Sequence, residues 1–228
     1  MRRFLPRFDT LPPPQRRLWP ELVQVPKHFV LYGGTAIALR LGHRASVDFD
    51  FFTSESFAPE TLLANLPLLA QAKVLQNVSQ TLTVALDRAG NVKLSFFGDL
   101  RLGRVGEPEE TSDGVVAVAS LLDLAGTKAA VVTQRAEAKD YIDMLTIIET
   151  GIPLAQAMAA AQAIYGKQYN PLMTLKSLTY FGDGDLHKLT SDQKSKLVKA
   201  ATEQPLDLPA ISRASDSLSP APTSPSSG

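Results

Sequence analysis

The sequence predicts a domain of mixed helices and strands, either α/β or α+β, followed by a helical domain. Two observations lead to this prediction. From about Phe29 to Val118, short runs rich in Val, Leu and Phe alternate with short helical runs, whereas beyond Ser120 the apolar residues recur with a helical period. With 228 residues, 44% of them hydrophobic and 20% charged, the chain is long enough for one large domain or two small ones.

The first predicted unit is a strand, a glycine turn and a short helix. Residues 28–32 are apolar and lead into Gly33-Gly34, after which Thr35 is the expected N-cap of a helix that Gly42 ends. Glycines between a strand and a helix let the backbone approach a ligand closely, and the free N–H groups at the helix start favour an anion such as a phosphate. The turn is therefore a candidate anion site.

A strand with two carboxylates on one face follows. Residues 46–52 alternate, which places Asp48 and Asp50 on one face of a half-buried strand and apolar side chains on the other. A helix of about seven residues rises roughly 10 Å and about four strand residues return roughly 13 Å, so both carboxylates come back to the glycine turn. They could hold Mg²⁺ against the phosphates of a nucleotide. The alternative is a plain tight turn beside the solvated face of an edge strand.

The remaining elements follow from the same periodicities. They are a helix over 62–69, hairpin strands over 81–87 and 91–97, a strand over 114–118, and helices over 120–134, 137–149, 154–165, 171–180 and 191–202. The Pro- and Ser-rich end of the chain, residues 205–228, is predicted to be disordered, because it cannot bury enough apolar area to offset the entropy lost on ordering.

A second group of charges lies in the predicted helical half. If one continuous helix carried them, Lys128, Arg135 and Lys139 would share a face, and Lys139 would pair with Asp143 four residues further on. A lysine there could reach the phosphates of a nucleotide while Asp140 or Asp143 orients it or a substrate hydroxyl. The alternative is an ordinary salt-bridged helix face exposed to solvent.

Composition narrows the possible functions. The formal net charge of zero gives no global attraction to polyanions, so a nucleic-acid partner would need a local basic patch. The chain has no cysteine for a thiolate nucleophile or a metal site, and its three histidines do not show zinc-ligand spacing. Neither a signal peptide nor a membrane span is predicted, so we expect a cytoplasmic location and no membrane partner.

Two stretches resemble a known family. GGTAIALRLGHRASVDFDFF at 33–52 and ASLLDLAGTKAAVVTQRAEAKDYIDM at 119–144 are similar to the AbiEii/AbiGii toxin family of nucleotidyltransferases, the toxins of type IV toxin–antitoxin systems. The resemblance implies an α+β fold: a polymerase-β-like nucleotidyltransferase core with a mixed sheet, followed by a C-terminal helical domain. The expected parts are an N-terminal extension over 1–27, the core over 28–118, the helical domain over 119–204 and the disordered tail over 205–228.

The resemblance also implies a reaction and its residues. The reaction is Mg²⁺-dependent transfer of a nucleotide from an NTP to an acceptor hydroxyl, with RNA such as tRNA as the acceptor and a cognate antitoxin as a partner. The implied residues are Gly33, Gly34, Thr35, Arg44, Lys128 and Lys139 for nucleotide binding, Asp48 and Asp50 for the metal, and Asp48, Asp50, Lys128, Asp140 and Asp143 for catalysis.

The chain departs from the family pattern at one position. Nucleotidyltransferases of this fold usually carry a third carboxylate on a later strand, where this chain has Ser95, and Asp87 or Asp99 could replace it from a hairpin end. This departure motivates one alternative function, a catalytically weakened module that binds a nucleotide or a partner. A second alternative is transfer to a small molecule such as an aminoglycoside antibiotic, which an acidic cleft would favour and a basic cleft would disfavour.

Overall fold

The computed structural model describes residues 2–203 and 207–220, and within them the strands form one mixed sheet. The strands are β1 (Arg3–Phe4), β2 (Val30–Tyr32), β3 (Asp48–Phe52), β4 (Lys73–Val78), β5 (Thr81–Asp87), β6 (Asn91–Phe97), β7 (Glu109–Thr111) and β8 (Ala117–Val118). Their order across the sheet is β1-β7-β8-β2-β3-β6-β5-β4. Because β3 is antiparallel to β2 and parallel to β6, the sheet is mixed, as the resemblance implies.

Strand β3 lies in the interior of the sheet. It is hydrogen-bonded to β2 along one edge and to β6 along the other. Phe49 and Phe51 are fully buried on one face, and the half-buried Asp48 and Asp50 lie on the other, which confirms the predicted alternation. The interior position of β3 shows that the edge-strand alternative is wrong.

The helices surround this sheet. They are α1 (Pro13–Leu18), α2 (Gly33–Leu41), α3 (Pro59–Asn65), α4 (Leu121–Val131), α5 (Ala138–Glu149), α6 (Leu154–Tyr165), α7 (Pro171–Thr179) and α8 (Ser191–Thr202). The five helices predicted beyond Ser120 are all present; α6 and α8 have the predicted bounds, and α4, α5 and α7 are shorter than predicted. In the described part of the chain no single helix is long and apolar enough to cross a membrane; α5 and residues 154–168 meet that test only as a pair, bent by 114°.

Two predicted local details differ from the structure. The helix predicted over 62–69 ends at Asn65, because Pro67 lacks the N–H group that would continue it and begins a separate 3-10 turn. Thr35 is not an N-cap, since α2 begins at Gly33; its hydroxyl instead hydrogen-bonds with the Ser46 hydroxyl at 2.7 Å and with the Asp48 carbonyl. Thr35 therefore ties the start of α2 to β3.

The hydrophobic core is one continuous cluster that joins the sheet to the helices. The segment predicted as an N-terminal extension belongs to it, because Leu11, Leu18, Trp19 and Leu22 are buried in this cluster. Its first strand, β1, also pairs with β7. Residues 2–27 are therefore an integral part of the fold.

The structure corrects the prediction of a disordered tail over 205–228. Leu218 and Ser219 are only 1% and 6% exposed. The buried guanidinium of Arg104 donates a hydrogen bond to the Ser219 carbonyl at 3.0 Å, and the backbone of Arg104 pairs with that of Ser215. An apolar anchor and satisfied carbonyls compensate for the low apolar content of this segment. The rest of the predicted tail lies outside the described residues.

Candidate active site

A cleft of about 880 Å³ lies between the charged face of the sheet and the helices that follow it. Its walls come from β3, β5 and β6, the start of α2, and the segment that joins α4 to α5. The fold thus brings together the two groups of charges that are about 80 residues apart in sequence. The predicted site residues that line the cleft are Gly33, Gly34, Thr35, Arg44, Asp48, Asp50, Lys128, Lys139 and Asp140.

The carboxylate pair lies on the sheet face of this cleft. The Nζ atom of Lys93 lies 3.1 Å from Oδ2 of Asp48. Burial raises the pKa of Asp50, and the neighbouring Asp48 charge raises it further, against the opposing effects of Lys93, Ser95 and Arg135. The ionised form of Asp50 is therefore short of positive charge, which a bound cation would supply.

The two glycines leave room for two charged side chains. Gly33 has φ +73°, and a Cβ atom there would lie 2.8 Å from Oδ2 of Asp50. A Cβ atom at Gly34 would lie 2.3 Å from Nη2 of Arg44. Because α2 has no capping side chain, the N–H groups of its first turn remain available to an anion beside Asp50 and Arg44.

Asp143 lies beneath the cleft, fully buried, and does not line it. Its Oδ1 atom is 2.7 Å from Nε2 of His43 and 2.6 Å from Nε of Arg44, while Oδ2 is 2.8 Å from Nη2 of Arg44 and 2.8 Å from Nζ of Lys128. Burial alone would raise the pKa of Asp143, but the hydrogen bonds from His43 and Arg44 and the charge of Lys128 hold it far below its ordinary value. Asp143 therefore remains ionised and fixes Arg44 against the start of α2.

Lys128 is a buried member of the same network. Besides Asp143, its Nζ atom contacts Oδ1 of Asp140 at 2.6 Å, and Nε of Arg135 contacts Oδ2 of Asp140 at 2.7 Å. Burial would raise the pKa of Asp140, but the hydrogen bond from Arg135 and the charge of Lys128 lower it below its ordinary value. The charge of Lys128 is therefore balanced by two carboxylates rather than left free.

The charged residues of the helical half do not share the face of one continuous helix. Helix α4 ends at Val131 and α5 begins at Ala138, so the charged residues lie on two helices and the turn between them. Lys139 pairs with Glu137 at 2.9 Å instead of with Asp143. The break turns α5 back toward α4, which is what brings Asp140 to Lys128.

Comparison with known proteins identifies the family. A family model described as nucleotidyl transferase AbiEii toxin, type IV TA system, matches residues 17–217. The chain belongs to this family. It is 32% identical over 161 residues to an uncharacterized protein of Aquifex aeolicus (strain VF5), covering 68% of this chain and 74% of that one. The AbiEii protein is accordingly a nucleotidyltransferase, as the sequence resemblance implies.

Two solved structures share the fold of this AbiEii protein. MenT4, a nucleotidyltransferase toxin from Mycobacterium tuberculosis, aligns with a TM-score of 0.57 at 14% identity and covers 85% of this chain and 83% of its own. A protein of H. pylori assigned as a nucleotidyltransferase aligns with a TM-score of 0.53 at 15% identity, over 83% of this chain and 90% of that one. These likenesses confirm the predicted α+β fold.

Neither Asp87 nor Asp99 lies where it could replace the third carboxylate of the family pattern. Ser95 pairs with Asp50 across β3 and β6, and its hydroxyl hydrogen-bonds that carboxylate. Asp87 shares the face but lies four residues from Thr83, the neighbour of Ser95 on β5, a distance of about 13 Å along the strand. Asp99 is exposed beyond the opposite end of β6, with φ +51°. The register therefore separates both carboxylates from Asp50.

The donor set suits one magnesium ion. Asp48, Asp50 and the Ser95 hydroxyl are hard oxygen ligands of the kind that Mg²⁺ prefers, and burial together with the Asp48 charge raises the pKa of Asp50 even though Lys93 pairs with Asp48. Among the described residues, no group of three or more His, Cys, Asp or Glu side chains could hold a metal. The residues present fit a single Mg²⁺ and are one carboxylate short of the usual two-metal arrangement.

Sequence reasoning missed several residues of the cleft. Lys93 lies beside Asp48 only because β3 and β6 pair in parallel with these two residues opposite each other. Phe52, Phe97 and Tyr165 also line the cleft. The alternation of β3 and β6 could have placed the two phenylalanines on the face of the carboxylates, but no local signal points to Tyr165.

Proposed function

We propose that this AbiEii protein transfers a nucleotide from an NTP to a hydroxyl group of an RNA acceptor such as tRNA, in a reaction that depends on Mg²⁺. One observation carries the proposal. The same-facing carboxylates of Asp48 and Asp50 lie beside the uncapped start of α2, so a cation site and an anion site adjoin in one cleft. A metal-bound triphosphate needs that combination.

Different residues of the cleft would bind the triphosphate and neutralise its charge. The backbone of Gly33, Gly34 and Thr35 would hold the triphosphate. Arg44, held by Asp143, would neutralise the charge that develops on the departing pyrophosphate, and the buried Lys128 beneath the cleft would add to this neutralisation. Since Lys128 is already paired with two carboxylates, Arg44 would make the larger contribution of the two.

Asp48 and Asp50 would hold the Mg²⁺ ion. When bound there, Mg²⁺ lowers the pKa of an acceptor hydroxyl and stabilises the transferred phosphoryl group. Asp48 is one-third exposed and pairs with Lys93 at 3.1 Å, so its negative charge is already partly balanced. Asp50, the more buried carboxylate, would depend most on the metal for its ionised state.

The charge of the cleft favours a polyanionic acceptor. More basic than acidic side chains line it, although the whole chain is neutral. The side chains of Lys93, Arg135 and Lys139 are 42–49% exposed at the cleft, whereas Asp140 and Asp143 are buried, so an approaching RNA backbone meets cations first and a cationic antibiotic is repelled. The basic side chains are Arg44, Lys93, Lys128, Arg135 and Lys139, and the acidic ones are Asp48, Asp50 and Asp140.

The test is a transfer assay with the purified protein, Mg²⁺, each labelled NTP in turn and total cellular RNA. Asp48→Asn should abolish both labelling of RNA and release of pyrophosphate, while Asp99→Asn, an exposed carboxylate beyond the end of β6, should leave both unchanged. Labelling that survives in Asp48→Asn overturns the proposed roles. NTP binding by the unaltered protein without any pyrophosphate release supports the binding-module alternative instead.

A further inference from the structure

The charged face of the sheet ends in an aromatic region that the proposed chemistry does not use. Two residues beyond Asp50 along β3 comes Phe52, and two residues beyond Ser95 along β6 comes Phe97. Because side chains alternate along a strand, both rings lie on the face of the carboxylates. The two residues are opposite each other in the register, with ring centroids 5.3 Å apart and the rings at 83°.

These two rings differ from the other phenylalanines of the same strands. Phe49, Phe51 and Phe96 are fully buried in the core on the opposite face, as apolar packing requires. Phe52 and Phe97 are only half-buried and line the cleft. The part of their apolar surface that Tyr32, stacked on Phe52, does not cover is available to a flat apolar ligand.

Two tyrosines also line the cleft: Tyr32, whose ring stacks on one face of Phe52 with centroids 4.9 Å apart and the rings at 12°, and Tyr165 on the helical side. Tyr165 is the last residue of α6, and the guanidinium of Arg213 donates hydrogen bonds to the carbonyls of Ala163 and Ile164 just before it, at 2.5 Å and 3.1 Å. Burial raises the pKa of Tyr165 to about 12, so its hydroxyl is a donor at neutral pH. The tail therefore holds the end of α6, and with it Tyr165, in place.

On this basis we propose that Phe52, Phe97 and Tyr165 form the subsite that takes the nucleobase of the NTP. This inference rests on the proposed function and adds to it the position of the base. Two strand residues, about 7 Å, separate the carboxylates from the phenyl rings, and a ribose is what separates the α-phosphate of a nucleotide from its base. Stacking on aromatic rings accepts every base, because each base has a π face, while the Tyr165 hydroxyl favours bases that present an acceptor to it.

The test is a binding titration in the presence of Mg²⁺ and without an acceptor, with each NTP and with inorganic tripolyphosphate as the probes. The double variant Phe52→Leu with Phe97→Leu keeps apolar bulk and removes both π faces. We expect about a tenfold loss of NTP affinity and no more than about a twofold change for tripolyphosphate. Phe57→Leu, a half-buried ring that packs on Phe29 away from the cleft, is the matched control and should change neither affinity.

The hydroxyl of Tyr165 has a separate test. Tyr165→Phe keeps the ring and removes the donor, so it should change the relative affinities of the four NTPs and leave tripolyphosphate binding unchanged. Tyr180→Phe, at a tyrosine that is 60% exposed, is the matched control and should change none of them. Thermal unfolding of each variant shows that the fold is retained.

The possible outcomes distinguish failure of the proposed base subsite from failure of the proposed function. If the unaltered protein binds NTPs and the double variant binds them equally well, or if tripolyphosphate affinity falls as much as NTP affinity, the base subsite is overturned while the proposed function stands. If only the apparent affinity for the RNA acceptor falls in the double variant, the rings serve the acceptor and the proposal for the NTP is overturned. If the unaltered protein binds no NTP, the proposed function and the subsite fall together.

Discussion

Asp143 is a carboxylate that organises the site from beneath it. It is fully buried and its two oxygens contact His43, Arg44 and Lys128. Removing one partner of a buried charge pair is costly because the other charges remain buried and unpaired. The same contacts of Asp143 stabilise the fold and hold Arg44 in place.

Asp143→Asn should lower the free energy of unfolding by about 3–5 kcal/mol, the usual cost of breaking a buried ion pair. Urea titration measures this loss. Asp99→Asn replaces an exposed carboxylate and should change the free energy of unfolding by no more than about 0.5 kcal/mol. A loss in Asp143→Asn as small as that of the control would show that the network contributes little to stability.

Asp143 should also make the protein sensitive to acid. Because its pKa is lower in the folded protein than in the unfolded chain, its contribution to stability is fully present above the ordinary carboxyl value of about 4 and is lost as the pH falls below it. The unaltered protein should therefore lose stability in that range, and Asp143→Asn should lose less over the same interval. Denaturation curves at a series of acidic pH values measure the difference, and parallel losses in both proteins would contradict it.

Asp50 has the opposite shift and leads to a different prediction. Burial and the Asp48 charge raise its pKa, so protons compete with Mg²⁺ for this carboxylate at a higher pH than for an ordinary one. Mg²⁺ affinity, measured by calorimetry, should fall as the pH is lowered from neutral into the mildly acidic range. An affinity that stays constant until ordinary carboxylates titrate would show that Asp50 is not a ligand.

At the scale of elements, the turn from β2 into α2 determines what the site can hold. Helix α2 follows β2 directly because Gly33 adopts φ +73°, a backbone conformation that is unfavourable for residues with a Cβ atom. Gly34 does not adopt such a positive φ, and its lack of a side chain makes room for Arg44. The two glycines therefore serve different purposes.

Alanine substitutions at Gly33 and Gly34 should distinguish the two structural roles. Gly33→Ala should lower the free energy of unfolding by about 1–3 kcal/mol through backbone strain and displace Asp50 as well. Gly34→Ala should have little backbone cost but should push Arg44 away from the start of α2 and weaken NTP binding. Urea titration and NTP titration of both variants test this, and a Gly34→Ala protein with unchanged NTP affinity would contradict it.

At the scale of the whole molecule, the tail joins the sheet half to the helical half. Arg213 binds the end of α6, Arg104 binds the tail backbone, and Leu218 is buried in the core. Ser219 also hydrogen-bonds with Thr53, just after β3, at 3.0 Å. Both ends of the aromatic region of the cleft are therefore held by the same segment.

Leu218→Ala should destabilise the protein by about 2–5 kcal/mol, as expected for a fully buried leucine whose removal leaves a cavity. Leu172→Ala, at a leucine that is 60% exposed on α7, is the matched control and should cost no more than about 0.5 kcal/mol. The two free energies of unfolding come from the same urea titration. Equal small losses would show that the tail does not contribute to the stability of the fold.

Some helices and strands could be predicted from the sequence and others could not, and the difference has a physical cause. Alternation on β3 and helical periodicity in the second half are local signals, because a buried face imposes its period on the sequence. Strand β4 gives no such signal, since all six of its residues are exposed along the edge of the sheet. Strands β1 and β7 have two and three residues, too few for a period to show.

The sequence by itself determined the glycine turn and the carboxylate pair, which lie in one short stretch of chain, and the family, which two such stretches indicate. Only the tertiary structure decided that Asp143 lies under the cleft, that Lys93 adjoins Asp48, and that Tyr165 lines the same cleft as Phe52 and Phe97. These contacts join residues far apart in the chain. They depend on strand register and on the turn between α4 and α5, which are set by packing across the whole core rather than by any local pattern.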